Sequence, residues 1–333
     1  MKPQPERQSQ NDGTGSHHGS IPRTKVYSLY MITRSVTLAA AIAASIQCFT
    51  VGFLAPYLPR EVCRPMARAS RTFALPASRR LHVSNADGTV RIASSPGDTV
   101  SVVADIRAYV PSREMHEAAQ AYIETLLADE LDGDTLTLRT EPGQRPDAID
   151  LRVDYAIRMP EGTDVVVEGI NGNVDISEGA GRVTVLGSNT DVHIGRPLGP
   201  VEVATTNGRI RLYDAPADAS LVTVNGSIYV HMLGGSLKAS TTNGHIVAHL
   251  LSDQVEACDL NATNGGVTLA MLDDCAATVN ASTLRGVIRS DFPIAGDECS
   301  VRRRSLQGAI GGGGTALSLH SLNGNIWLAR NSS

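Results

Sequence analysis

Aromatic residues are scarce in this chain. They make up 4% of its 333 residues, with one tryptophan and four phenylalanines. The chain therefore has few large rings from which to build a core. Its 31 glycines are typical of a β protein with many tight corners.

An excess of positive charge is also missing. The formal net charge is −5, whereas a surface that binds nucleic acid is basic, so nucleic acid is excluded as a partner. Cysteine is sparse as well. Five cysteines are too few for a disulfide framework in a chain of this length.

Signatures of catalysis and of cofactor binding are absent from the sequence. There is no Gly-x-Ser-x-Gly elbow, no His-Glu-x-x-His, no phosphate-binding Gly-Lys-Ser/Thr loop and no Cys-x-x-Cys. We therefore predict no enzymatic activity and no cofactor. A β-helix polysaccharide lyase or hydrolase is the enzymatic alternative, but the outward acids that it would need are scattered: Asp175, Asp191, Glu202, Asp214 and Asp218.

What the sequence does contain is one short motif that is repeated through residues 165 to 328. It is Asn-Gly followed by two apolar residues at alternate positions, and it first reads Asn171-Gly172-Asn173-Val174-Asp175-Ile176. Gly172, Gly208, Gly226 and Gly244 lie 36, 18 and 18 residues apart, and a degenerate copy at residues 189–194 fills the wider gap in phase. A period of about 20 residues indicates a solenoid.

Each repeat is predicted to hold two strands joined at the Asn-Gly corner. Counted from the corner glycine, positions +2 and +4 are apolar, as at Ile228 and Val230, and so are −7 and −5, as at Val201 and Val203. Alternate apolar residues indicate a strand with one buried face. About nine copies, stacked roughly 4.8 Å apart, would bury a core that no single copy can bury.

The corner asparagines form a column of their own. Asparagine tolerates the left-handed conformation of a tight corner, and its amide can also hydrogen-bond to the asparagine above and below. Both roles are structural. Arg285-Gly286 and Gln307-Gly308 lack the asparagine, so we expect the ladder to be broken there. The predicted ladder comprises Asn171, Asn189, Asn207, Asn225, Asn243, Asn264 and Asn323.

Repeats of this kind behind an N-terminal hydrophobic segment resemble a bacterial putative-adhesin family of unknown function, over about residues 72 to 330. The resemblance implies an all-β fold, a right-handed, single-stranded parallel β-solenoid (β-helix) of about nine rungs, with one helix inserted near its N-terminus. It also implies an exported protein. The family offers no active site to carry over.

The N-terminal segment points to export on its own account. Residues 1–34 are polar and predicted to be disordered. Residues 35–59 carry no charged side chain and are long enough to cross a bilayer. They form either a single-pass anchor or the apolar part of a signal peptide, with translation starting at Met31 in the second case. Because the resemblance implies export, we expect a cell-envelope protein whose solenoid lies outside the cytoplasm, or a secreted or periplasmic one after cleavage.

Between this segment and the regular repeats at 165–330 we predict a basic linker, residues 60–71, and a region of N-terminal strands, residues 72–164. Residues 87–92 already match the repeat motif of the solenoid. A helix over 113–128 follows from its apolar spacing and would cover an open end or side of the stack. The far end, at Trp327, has no such cover and is expected to be an exposed edge that could self-associate.

Two pairs of side chains are candidate sites. His231 and His249 share position +5 of successive repeats and would stack, so they are metal candidates, although zinc needs further ligands and none is evident. Cys275 and Cys299 precede the glycines of successive repeats and would lie side by side, so they are candidates for a disulfide in an oxidising compartment.

The sequence thus predicts a non-enzymatic module of the cell envelope. It would serve as an adhesin or scaffold, presenting a solenoid face to an envelope or surface polymer or protein. The alternative is an envelope-stress signalling accessory, which the resemblance implies for some members of the family.

Overall fold

The computed structural model describes residues 61–62, 67–74, 79–110, 113–124, 127–140, 149–295 and 304–331. They form one α-helix, α1, at His116–Glu124, preceded by a 3-10 turn at Arg113–Met115. The strands are β1 Glu61–Val62, β2 Ala67–Ala74, β3 Arg80–Ser95, β4 Thr99–Val110, β5 Leu127–Asp132, β6 Thr135–Thr140, β7 Asp150–Pro160, β8 Asp164–Ile176, β9 Val183–Gly195, β10 Val201–Asn207, β11 Ile210–Ala215, β12 Ala219–Asn225, β13 Ile228–Met232, β14 Gly235–Thr241, β15 Ile246–Leu250, β16 Val255–Ala262, β17 Val267–Met271, β18 Ala277–Thr283, β19 Ile288–Ser290, β20 Ser305–Ile310, β21 Thr315–Ser321 and β22 Ile326–Arg330.

The predicted disordered segment at 1–34 and the apolar segment at 35–59 lie outside the described residues, and so does the proposed start at Met31. In the part of the chain that the structure describes, no helix has the length and apolar character needed to span a membrane.

The strands form two ladders. Sheet A runs in the order β5, β6, β3, β8, β9, β10, β12, β14, β16, β21, β18, β20. Sheet B runs β2, β4, β7, β3, β8, β9, β11, β13, β15, β17, β22, β19. The long strands β3, β8 and β9 turn the corner and belong to both. Nine rungs pair in parallel, and the predicted all-β, parallel solenoid is confirmed.

The core lies between the two sheets. On β12 and β13, for example, Leu221 and Val230 are fully buried, and the residues between buried positions point outward. Cys258 occupies one of these inward positions and is 1% exposed. Because every rung contributes such a pair, the apolar contacts run without a break along the stack.

The corner glycines are required by a close approach between rungs. A Cβ on Gly226 would lie 1.9 Å from the carbonyl oxygen of Gly208, and a Cβ on Gly244 would lie 1.9 Å from that of Gly226. Only hydrogen fits in that space. The corner therefore stacks backbone directly upon backbone.

A column of small polar residues at position −3 completes the corner. The Thr223 hydroxyl donates to the Gly208 carbonyl at 3.0 Å, and the Thr241 hydroxyl donates to the Gly226 carbonyl at 2.8 Å. Both threonines are buried. The hydroxyls thus give a partner to buried carbonyls that would otherwise be costly to desolvate.

At the C-terminal end, the order of rungs in space departs from their order in the chain. Strands β21 and β22 insert between the β16–β17 rung and the β18–β19 rung. The expectation that the stack closes at Trp327 is therefore wrong, because β22 lies inside sheet B. The outermost strands are β19 and β20, and β20 is antiparallel to β18. Gly308 lies in β20 and is not a rung corner.

The N-terminal end differs from expectation in two places. Residues 67–71 of the predicted linker 60–71 belong to β2, because they pair with β4. The helix ends at Glu124 rather than at residue 128, because Leu127–Asp132 forms a hairpin with β6 around Gly133. Helix α1 packs against β2 and β4, and β3 stacks on β8 with Gly88 opposite Gly172.

The corner contact generates a stability prediction. Gly244→Ala should lower the free energy of unfolding by about 3 kcal/mol or more, since the added methyl collides with rigid backbone. Urea denaturation followed by circular dichroism measures the change. Gly169→Ala is the matched control, because its Cβ would meet nothing closer than 3.7 Å. Equal stability of the two variants would contradict the prediction.

Candidate binding face

The seven corner asparagines make an uninterrupted ladder of side-chain amides. In six bonds, the Nδ2 of each asparagine after Asn171 donates to the Oδ1 of the asparagine on the neighbouring rung at 2.7–2.8 Å. None of the seven has a positive φ, so the amide stack, and not a left-handed corner, accounts for asparagine at this position. The ladder runs through Asn171, Asn189, Asn207, Asn225, Asn243, Asn264 and Asn323.

The ladder is longer than the chain order suggests. Asn323 donates to Asn264 because β22 lies next to β17. The expected break between these residues is absent, since the copy at Gly308 does not intervene. The ladder ends where Arg285 replaces asparagine on the outermost rung.

The outer face of sheet B carries a cluster of five rings, which we call the ring cluster: His193, Tyr213, Tyr229, His231 and His249. Neighbouring centroids are 5.0 to 5.6 Å apart. Most of this spacing follows from the rungs, because the rings stand on the neighbouring strands β9, β11, β13 and β15. Tyr229 and His231 share β13, two residues apart. Tyr213 joins the cluster at a bulge, where Asp214 has a positive φ of 53°.

His231 and His249 are register partners, and their rings meet edge to face with centroids 5.0 Å apart. The Tyr229 hydroxyl lies 2.8 Å from His231 Nε2, and His249 Nδ1 lies 3.1 Å from Asn331 Oδ1. Burial lowers the pKa of His231, and the adjacent His249 lowers it further, while Asp214 opposes both. Burial and Tyr213 raise the pKa of the Tyr229 hydroxyl.

As a metal centre the histidine pair lacks ligands. Within the described ranges, no group of three or more His, Cys, Asp or Glu side chains could hold a metal ion. His231 Nε2 faces a hydroxyl, and His249 Nδ1 faces an amide. The pair is therefore better described as part of an aromatic surface.

The outward acids serve contacts between rungs. Asp175 lies 3.1 Å from His193 Nδ1, and Asp191 accepts from the Arg209 side chain, also at 3.1 Å. Asp214 lies 3.8 Å from His231 Nδ1. Such pairs contribute little to stability at the surface.

Sheet A carries a different polar contact on its outer face. His320 lies between two serine hydroxyls, with Ser282 Oγ 2.7 Å from Nδ1 and Ser318 Oγ 3.1 Å from Nε2. The three residues stand on the neighbouring strands β18 and β21, on an open sheet surface. The contact between Ser282 and His320 links two neighbouring rungs.

Cys275 forms no disulfide with another described residue, and Cys299 lies outside the described residues. The disulfide between them therefore stays a prediction. Burial and the nearby Asp274 carboxylate raise the pKa of the Cys275 thiol, which disfavours the reactive thiolate.

A groove beyond the ring cluster was not foreseen from the sequence. It has a volume of about 640 Å³, and its walls include His245, Gly266, Trp327 and Arg289. The sequence feature that could have indicated this groove is Trp327, which stands at the outward position +3 of its repeat. The rung order that surrounds it with these neighbours was not readable from the chain.

The lowered pKa of His231 generates a pH prediction. The unfolded chain binds a proton at His231 more readily than the folded chain does, so this residue makes stability rise with pH up to the unfolded pKa of about 6.5. Between pH 8 and pH 5.5, the wild type should lose more unfolding free energy than His231→Gln, as measured by urea titration. The pH 8 values serve as the control for packing, and equal losses would contradict the assignment.

Comparisons with solved structures return proteins of low sequence identity. A putative adhesin from Bacteroides fragilis NCTC 9343 is 13% identical, with a TM-score of 0.42 and coverage of 79% of this chain and 97% of that one. A putative adhesin from Parabacteroides distasonis ATCC 8503 is 10% identical, with a TM-score of 0.35 and the same coverage. No curated protein matches the chain significantly.

A family model also matches this chain. The model described as Toastrack DUF4097 matches residues 126–329, which is more than half of the chain and includes every regular rung from β8 onward. The match agrees with the resemblance to an adhesin-like family of unknown function. This chain belongs to the Toastrack DUF4097 family.

Proposed function

We propose that this protein is a non-enzymatic binding module of the cell envelope. The outer face of sheet B would bind an envelope or surface polymer or protein, as an adhesin or scaffold does. Residues 35–59 would anchor the chain in the membrane, with the solenoid outside the cytoplasm. The observation that carries the proposal is the concentration of rings on one outer face.

The placement of these rings is unusual for this composition. Only 4% of the residues are Phe, Trp or Tyr, yet Tyr213, Tyr229 and Trp327 all stand at outward positions of sheet B. Three histidines pack against these two tyrosines. Rings at a surface supply a large contact area with few rotatable bonds, which is why they are enriched in binding sites.

The scaffold beneath the rings supports the same function. Each ring stands on a strand that is hydrogen-bonded to a strand on either side, for example Tyr229 on β13 between β11 and β15. Little conformational freedom remains to be lost when a partner binds. Pre-organisation of this kind favours affinity.

Location is tested on intact cells that express the full chain. External protease should cleave the solenoid, and the N-terminal sequence of the mature protein should show whether residues 36–54 are retained. Retention supports an anchor, and loss supports a secreted or periplasmic form. A chain that is soluble in the cytoplasm and protected from protease would refute the proposal.

Binding is tested with envelope material from the same cells. Tyr229→Ser should weaken sedimentation with this material by about tenfold, the expected effect of losing one ring contact of about 1.4 kcal/mol. Val222→Ser is the matched control, since Val222 faces outward on sheet A in the same rung. Material stripped of protein distinguishes a polymer from a protein partner. Equal binding by both variants and the wild type would remove the ring cluster as the binding surface.

A further inference from the structure

The groove beyond the ring cluster begins at the corner residue His245, just before β15, and crosses the neighbouring strands β17, β22 and β19 of sheet B. Three rung steps give it a length of roughly 14 Å. His245, Gly266 and Asn325 occupy the same repeat position on three neighbouring rungs. Because Gly266 has no side chain, a depression remains between the side chains of His245 and Asn325. The groove therefore runs along the solenoid axis, across the strands.

Trp327 forms an exposed but anchored wall of this groove. Its side chain is 47% exposed, and its indole N–H donates to Asp291 Oδ1 at 3.1 Å. Asp291 is held in turn by Arg330, whose guanidinium lies 4.9 Å from the centre of the Phe292 ring and 3.1 Å from Asp273. The indole is fixed in orientation while a large part of its surface faces solvent.

A free cation stands beside the indole. Arg289 is the register partner of Trp327 on the next strand, β19. Its side chain is exposed and makes no ion pair or hydrogen bond within the described part of the chain. A guanidinium binds a carboxylate through two parallel hydrogen bonds, so an acidic group is the natural complement at this position.

Amide groups complete the groove. Asn323 Nδ2 is used by the ladder, while Asn323 Oδ1 receives no hydrogen bond from any described residue. Asn325 Oδ1 accepts from the Val287 backbone at 2.9 Å, which leaves its NH2 group for a ligand. The groove thus offers an acceptor and a donor at the edge of the indole.

We propose that this groove binds an acidic saccharide, a chain of pyranose units that carry carboxylates. The C–H face of one sugar ring would pack on Trp327, its carboxylate would pair with Arg289, and its hydroxyls would bond to Asn323 and Asn325. The advance per sugar in an extended polysaccharide is close to the rung spacing, so successive units can follow the groove. This inference rests on the proposed function and gives its partner a chemical class.

The experiment uses the single tryptophan as reporter. Because Trp327 is the only tryptophan in the chain, its fluorescence in the full-length protein reports on this groove alone. Hexagalacturonate and hexamannuronate are titrated, with their methyl esters as uncharged counterparts and hexa-aspartate as an acidic peptide. We expect a saturable change with at least one acidic saccharide, and binding about tenfold weaker for its ester, as for the loss of one charge-assisted hydrogen bond.

Arg289→Gln should weaken binding of the acidic saccharide about tenfold and leave binding of its ester unchanged. Arg182→Gln is the matched control, an exposed arginine on a distant rung whose side chain has no partner among the described residues, and it should bind as the wild type does. No response to either saccharide, equal affinity for acid and ester, or tighter binding of hexa-aspartate would overturn the assignment.

The two proposals fail separately. If the wild type and Arg289→Gln sediment equally with stripped envelope polymer, and neither saccharide binds, the groove assignment falls and the binding function stands. If the saccharide binds in the groove but the protein does not sediment with envelope material, the groove stands and the envelope function falls.

Discussion

The structure depends on one contact, the approach of each corner glycine to the carbonyl oxygen of the corner before it. The distance leaves no room for a Cβ, so two rungs can meet there in one register only. The asparagine beside the glycine then lies above its counterpart at 2.7–2.8 Å, and the hydroxyl at position −3 reaches the same carbonyl. With the corners aligned, every outward position also falls into a column. The ring spacing on sheet B follows from the backbone contact at the corner.

Much of this was readable from the sequence because it is local. A two-residue alternation decides which side chains face the core, and a fixed period decides which of them stack, so Val201, Ile228 and Cys258 could be assigned inward positions in advance. The asparagine column was visible for the same reason. Its physical role was open, and the backbone angles decide it, since the asparagines avoid the left-handed region.

The rest depends on pairings between distant segments. The repeat motif around Asn323 does not indicate that its rung inserts beside the rung of Asn264. Both neighbouring rungs present the same apolar columns, so the order along the chain and the order seen in space would bury them equally. The helix boundary was missed because residues 127–132 pair with a strand that follows them. The groove is hidden for a related reason. His245, Trp327 and Arg289 come together only once the rung order is known, and the lowered pKa of His231 depends on neighbours from two other strands.

The inserted C-terminal rung has a consequence for how the molecule is made and how it can change. Strands β18 and β19 leave the ribosome before the layer on which they rest, so they cannot dock until β21 and β22 have been synthesised. The last two rungs must therefore dock together. A chain truncated before Ser305 lacks the rung on which β18 and β19 rest. Duplication of a rung can therefore lengthen the solenoid in its middle, among the repeats of 18 residues between β9 and β15, while both ends keep their fixed construction.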